Sequence, residues 1–94
     1  MAELLSDEAR DITAPQDIAN YVGGKVVIVA EHFRYAGGEL DEARTVFGTL
    51  LAFEWVQGQN SATVDFIFEG GHTHREPIRM DGAGSPRIRI DYAR

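Results

Sequence analysis

The sequence contains no cysteine and only one lysine, Lys25. Without cysteine the chain has no disulfide framework, no thiolate zinc site and no cysteine nucleophile. It also lacks a run near the roughly 18 consecutive apolar residues of a membrane-spanning helix, and its acidic start, MAELLSDEAR, lacks the basic and apolar regions of a secretion signal. The sequence therefore predicts a cytoplasmic protein, without a membrane segment, that is held together by its hydrophobic core.

Positive charge is scarce as well. The chain has 9 lysine and arginine residues against 15 aspartate and glutamate residues, so its formal net charge is -6. Because affinity for a nucleic-acid backbone comes mainly from basic side chains that displace counterions, this balance disfavours a dedicated RNA or DNA binder. A length of 94 residues, 44% of them hydrophobic, is typical of one small globular domain.

The segment TAPQDIANYVGG carries the signals of a short helix. Thr13 and Gln16 have the spacing of a capping box, and Gly23 supplies a left-handed stop, so we expect a helix of about two turns. This helix begins a single domain over residues 13–94. The N-terminal segment 1–12 is expected to add a turn or to fray.

After the glycines the hydrophobic period changes to two and stays there to the end of the chain. The turn cluster QGQNS predicts a hairpin between TVFGTLLAFEWV and ATVDFIFE, and DGAGS predicts another between THREPIRM and PRIRIDY. Gly48 predicts a bend or a close backbone approach. One helix, the strand KVVIVAEHF and these four strands predict a mainly β fold, a five-stranded antiparallel small barrel or curled sheet.

The order of a short helix, YVGGKVVIV, FGTLLAFE, PIRMDG and RIRI resembles that of an Sm-like (Lsm) domain, a small β barrel comparable with SH3-like barrels. Gly48, Leu50, Phe53 and Glu54 fall at the spacing of the family's second-strand motif, with Glu54 in place of the usual aspartate. The resemblance implies a small barrel in a ring that binds single-stranded RNA.

The RNA-binding alternative depends on a few polar residues. The asparagine of the Sm-like pocket would fall on Gly58, and the nearest asparagine is Asn60. Met80 stands where the family has glycine after the isoleucine and arginine of its last motif. The candidate RNA-binding residues are therefore Arg79, Arg89 and Asn60, and the net charge disfavours tight binding.

The segment EGGHTHREP holds two histidines one residue apart. On a strand His72 and His74 would share a face, with Glu76 next on the same side, so these three are the candidate ligands of a metal. His32 would join them only if strand pairing brought it near. The alternative is an exposed strand that begins after a glycine bend, and on that interpretation the sequence predicts no metal and no cofactor.

Signals of catalysis are weak elsewhere. Ser6, Ser61 and Ser85 lie in turn or cap contexts without a nucleophile elbow. The glycine clusters YAGGEL and DGAGSP lack the lysine of a phosphate-binding loop. We therefore assign no catalytic residue and expect a protein that is not an enzyme.

Apolar residues on both faces of the second strand carry the functional expectation. By simple alternation residues 47, 49, 51, 53 and 55 share one face, and the residues between them share the other. Such a strand needs a second cover, and aromatic and arginine side chains are enriched in protein interfaces. The leading hypothesis is a non-enzymatic interaction module that self-associates or docks on a protein partner. Its predicted interface residues are Phe47, Phe53, Trp55, Arg87 and Arg89.

Two alternatives remain open. The first is an Sm-like ring that binds single-stranded RNA. The second is a metal-binding domain that uses the His-x-His motif.

Overall fold

The structure is a computed structural model that describes residues 5–33, 40–79 and 87–93. Its elements are β1 (Arg10–Asp11), α1 (Gln16–Ala19), β2 (Lys25–Phe33), β3 (Leu40–Gln57), β4 (Ser61–Phe68), β5 (Thr73–Arg79) and β6 (Arg87–Tyr92). The six strands form one sheet in the order β1-β6-β2-β3-β4-β5, and every neighbouring pair is antiparallel. The fold is thus mainly β, as predicted. The sheet is not closed into a barrel, because β1 and β5 remain its edges.

The helix is shorter than predicted. α1 is one turn of 4 residues, and its N-cap, Pro15, offers no capping side chain. The Asp17 carboxylate instead accepts hydrogen bonds from the backbone N–H groups of Thr13 and Ala14, at 2.9 and 3.0 Å. Because Asp17 satisfies these donors from the first turn, the expected capping box of Thr13 with Gln16 does not form. No helix in the described ranges is long and apolar enough to cross a membrane.

One predicted hairpin is confirmed and the other is wrong. β3 and β4 are antiparallel neighbours, and the Gly58 N–H donates to the Ser61 carbonyl at 2.7 Å across their turn. β6, however, pairs with β1 and β2 rather than with β5. β2 pairs with β3 on one side and with β6 on the other, and Ile88 and Ile90 of β6 enter the same core as Ile28. The predicted turn DGAGS, residues 81–85, lies outside the described residues.

β3 spans 18 residues and serves two neighbours in turn. Its first part pairs with β2 and its last part with β4. Gly48 lies in the first part, and a Cβ there would stand 2.8 Å from Cδ1 of Phe68, too close for a side chain without movement of the ring. The predicted close approach at Gly48 is therefore confirmed.

A single hydrophobic core lies on one face of the sheet, which we call the inner face. Ile12 precedes α1 and Ile18 lies within it, and both side chains enter this core. The remaining buried members are Tyr21, Val26, Ile28, Ala30, Leu50, Val64, Phe66, Phe68, Ile78, Ile88 and Ile90. Full burial of one large apolar side chain contributes about 1.5 to 3 kcal/mol, so these residues supply most of the stabilisation.

A β-bulge decides which residues of β3 face inward. The register shifts between Leu50 and Ala52, so that one extra residue is inserted. Past the bulge Phe53 and Trp55 pack against the core, although Leu50 before it does so as well. The expectation that residues 47 to 55 alternate without interruption is therefore wrong, because the extra residue exchanges the two faces.

Candidate functional site

A fully buried carboxylate lies on the inner face of β5. Glu76 has 0% of its surface exposed. Its Oε1 lies 3.3 Å from Nε2 of His32, and its Oε2 lies 2.6 Å from Nε2 of His74. Nη1 of Arg44 is 3.8 Å from Oε2. We call these four residues the inner polar cluster.

The fold brings the cluster together from three strands. His74 and Glu76 alternate on β5, opposite Phe66 and Val64 of β4, which are core residues. His32 is near the end of β2, a strand that has no ladder with β5. The contact between Glu76 and His32 therefore connects the inner faces of an edge strand and a central strand. It stabilises the approach of these two strands to each other.

Electrostatics explain why Glu76 has such neighbours. A buried ionised carboxylate costs several kcal/mol unless hydrogen bonds or opposite charges compensate it. In this cluster one imidazole meets each carboxylate oxygen, and the Arg44 guanidinium is close enough for an ion pair. Oε1 joins β5 to β2 through His32, and Oε2 contacts His74 of the same strand and lies near Arg44 of β3, which favours a structural role for Glu76.

The structure does not unite the predicted metal ligands. β5 begins at Thr73, so His72 lies before the strand, and its ring stands 5.7 Å from that of Phe68. His74 meets Glu76, and the partner on the other side is His32 rather than His72. No group of three or more histidine or acidic residues in the described ranges is arranged to hold a metal ion.

We expect the purified chain to carry no stoichiometric transition metal. The 2.6 Å between Nε2 of His74 and Oε2 of Glu76 is a hydrogen-bond distance, and the Arg44 guanidinium repels a cation at the same carboxylate. Elemental analysis tests this expectation. One zinc, iron or nickel ion per chain, lost when His32 and His74 are both changed to alanine but kept in a His72→Ala control, would contradict it.

The predicted aromatic interface residues differ in exposure. Phe47 is 58% exposed on the face opposite the core. Phe53 and Trp55 are partly buried against the core, and Nε1 of Trp55 donates to Oε1 of Gln57 at 2.9 Å. Phe47 is thus the predicted aromatic interface residue that exposes most of its side chain to solvent.

The predicted interface arginines are both engaged within the chain. Nε of Arg87 donates to Oδ1 of Asp11 at 3.0 Å, and this hydrogen bond holds the pKa of the Arg87 guanidinium above its usual value. Nη2 of Arg89 donates to Oε1 of Glu31 at 2.6 Å. Both pairs join neighbouring strands, so these arginines stabilise the sheet whether or not they also meet a partner.

The candidate RNA-binding residues are spread over the sheet. Asn60 is exposed in the turn between β3 and β4, and its neighbour Ser61 pairs with Arg79 of β5. The Arg79 side chain lies outside the described residues. Arg89 is on β6, which three strands separate from β5. The structure thus brings Asn60 and the backbone of Arg79 to one end and leaves Arg89 elsewhere.

An apolar surface lies along the outer side of β3. Phe47 and Leu51 are 58% and 51% exposed, and the segment between them, GTL, carries no charge. Val22, also exposed, lies in the turn that hydrogen-bonds to β3 beside Leu51, where the Gly23 N–H donates to the Leu50 carbonyl at 2.7 Å. We call Phe47 and Leu51 the outer patch.

Comparison with protein-family models, curated proteins and solved structures found no match. The small antiparallel sheet is compatible with a small β-barrel-like fold. The finer identification as an Sm-like or SH3-like domain stays a prediction.

Proposed function

We propose that the chain is a small, non-enzymatic interaction module that self-associates through the outer patch. The exposure of Phe47 carries this proposal, since more than half of a large aromatic side chain faces solvent on a regular strand. Leu51 extends the same apolar surface. Burial of each of these half-exposed side chains would contribute roughly 1 to 2 kcal/mol to association, and such surfaces are typical of protein contacts.

A second copy is the occupant that suits the patch best. The patch residues carry no charge, Lys25 borders them opposite Thr49, and a two-fold axis can place the same apolar residues on both sides of the contact. The net charge of -6 opposes approach of two copies. Because salt screens this repulsion and leaves apolar burial in place, we propose that self-association strengthens as ionic strength rises.

The inner polar cluster has a structural role in this proposal. Glu76 has no exposed surface, and its two oxygens are taken by His32 and His74. The burial of this carboxylate and its contacts with His32 and His74 support a structural role. Interaction through the outer patch therefore requires no catalytic residue.

A pair of matched variants tests the outer patch. Phe47→Asp places a charge on the patch and is expected to weaken self-association at least about tenfold, as measured by sedimentation velocity over a concentration series. Val56→Asp is the control, because Val56 is 64% exposed on the same strand beyond the bulge. Circular dichroism checks that both variants keep the fold.

Three results would contradict the proposal. The wild-type chain could sediment as a monomer at every concentration. Phe47→Asp could sediment like wild type, or Val56→Asp could dissociate the assembly as strongly as Phe47→Asp does. Capture of a different protein by a strictly monomeric chain would favour docking on a partner instead.

A further inference from the structure

A short N-terminal segment is fastened to a second buried carboxylate. Asp91 is 2% exposed, and its Oδ2 accepts hydrogen bonds from the backbone N–H and the hydroxyl of Ser6, at 2.8 and 2.7 Å. Its Oδ1 accepts a hydrogen bond from the backbone N–H of Tyr92 at 2.8 Å. We call residues 5–9 the N-terminal strap and the contact between Ser6 and Asp91 its latch.

The strap crosses the edge of the sheet. The Ala9 N–H donates to the Ser6 carbonyl at 3.1 Å, which forms a turn. β1 then pairs with the edge of β6, and Ile12 enters the core on the inner face. Asp91 alternates with the inward-facing Ile90, so its side chain lies on the outer face. The chain therefore passes from the outer face around β6 to the inner face.

The outer face of β2 beside the latch is apolar. Val27 pairs with Asp91 of β6 on one side and with Phe47 of β3 on the other. Val27 is 1% exposed, whereas Phe47 is 58% exposed. Val29, two residues along the same face, is also buried. Val27 is thus a buried apolar residue that lies between the exposed Phe47 of β3 and Asp91 of β6, the residue to which the strap is latched.

We propose that the N-terminal strap is a displaceable cover and that its opening exposes Val27 as an extension of the outer patch for a second copy. Two hydrogen bonds from Ser6 hold the strap at Asp91, and Asp7 and Glu8 next to Ser6 are exposed. A segment held by a few polar contacts opens at lower free energy than the sheet does. The binding of a second copy to the exposed Val27 rests on the proposed self-association. The opening of the strap is a property of a single chain.

Thiol labelling measures the opening without reference to self-association. The chain has no cysteine, so Val27→Cys supplies a unique thiol under the strap. Val26→Cys is the matched control, since Val26 is the next residue, is fully buried and faces the core. We measure the rate of reaction with a small thiol reagent at a protein concentration where the chain is monomeric. The same measurement is made on chains that also carry Phe47→Asp.

Adding Ser6→Ala to either probe removes one hydrogen bond of the latch. We expect the labelling rate of the Val27→Cys chain to rise about tenfold and that of the Val26→Cys chain to change little. If Val27→Cys impairs folding, Val29→Cys serves as the second probe. An unchanged rate on the outer face would overturn the inference. An equal increase at both positions would also overturn it, because that result indicates global unfolding.

Sedimentation then tests the occupant. Ser6→Ala alone is expected to strengthen self-association at least about threefold, and Phe47→Asp is expected to abolish that gain. Faster labelling in a chain that never self-associates would support the opening of the strap. It would contradict both the binding of a second copy and the proposed function. Unchanged labelling in a chain whose assembly is lost with Phe47→Asp would overturn the strap alone.

Discussion

Glu76→Ala is expected to lower the free energy of unfolding by about 3 kcal/mol, a large fraction of the stability of a small domain. The change removes the acceptor of two imidazoles and leaves a cavity in a place with no solvent exposure. Denaturant unfolding followed by tryptophan fluorescence measures the loss. Glu69→Ala is the control, because Glu69 is exposed just past β4 and should change stability by less than about 0.5 kcal/mol.

Glu76→Gln separates charge from shape at the same position. The amide keeps the volume and one acceptor oxygen but loses the carboxylate charge, so we expect a loss between those of the alanine variant and the control. If Glu76→Ala and Glu69→Ala lower the free energy of unfolding equally, the inner polar cluster does not stabilise the contact between β5 and β2.

Phe66→Ala is expected to have the other largest effect, about 3 to 5 kcal/mol, as for other fully buried aromatic side chains. Phe66 has no exposed surface and pairs with Phe53 on one side and His74 on the other, so its ring lies between the hydrophobic core and the inner polar cluster. Urea unfolding gives the change in free energy.

Ile67→Ala is the matched control for Phe66→Ala. Ile67 is the next residue, lies on the outer face and is half-buried, so a loss below about 1.5 kcal/mol is expected. Equal losses from the two variants would contradict the assignment of the inner face.

Local patterns predicted the strands that bury one face. Ile88 and Ile90 alternate with arginines, and in β6 both isoleucines are buried whereas Arg87 is exposed and Arg89 is half-buried. Val26 to Ala30 are apolar in succession, as is typical of a strand buried on both faces, and β2 is such a strand inside the sheet. The turn cluster between β3 and β4 predicted their hairpin. These features depend on side chains a few residues apart, which a sequence displays directly.

The features that were mispredicted depend on distant residues. β6 pairs with β2, which is far from it in the chain, and the order of the strands along the chain does not reveal this pairing. The bulge beside Leu51 changes the faces of Phe53 and Trp55, and an unbroken alternation gives no sign of an inserted residue.

The inner polar cluster was foreseen only in part. His74 and Glu76 share a strand face, as expected for residues two apart. The approach of His32, 44 residues away in the chain, requires the curl of the whole sheet. The metal hypothesis requires His72 to lie on the same strand, whereas β5 begins at Thr73, after Gly70 and Gly71 with their positive φ angles.

The mass of the wild-type chain in solution tests self-association most directly. Multi-angle light scattering over increasing protein concentration, at low and at high salt, is predicted to give masses that rise above 10.4 kDa, with the rise at lower concentration in high salt. A mass that stays at 10.4 kDa throughout both series would contradict self-association through Phe47 and Leu51.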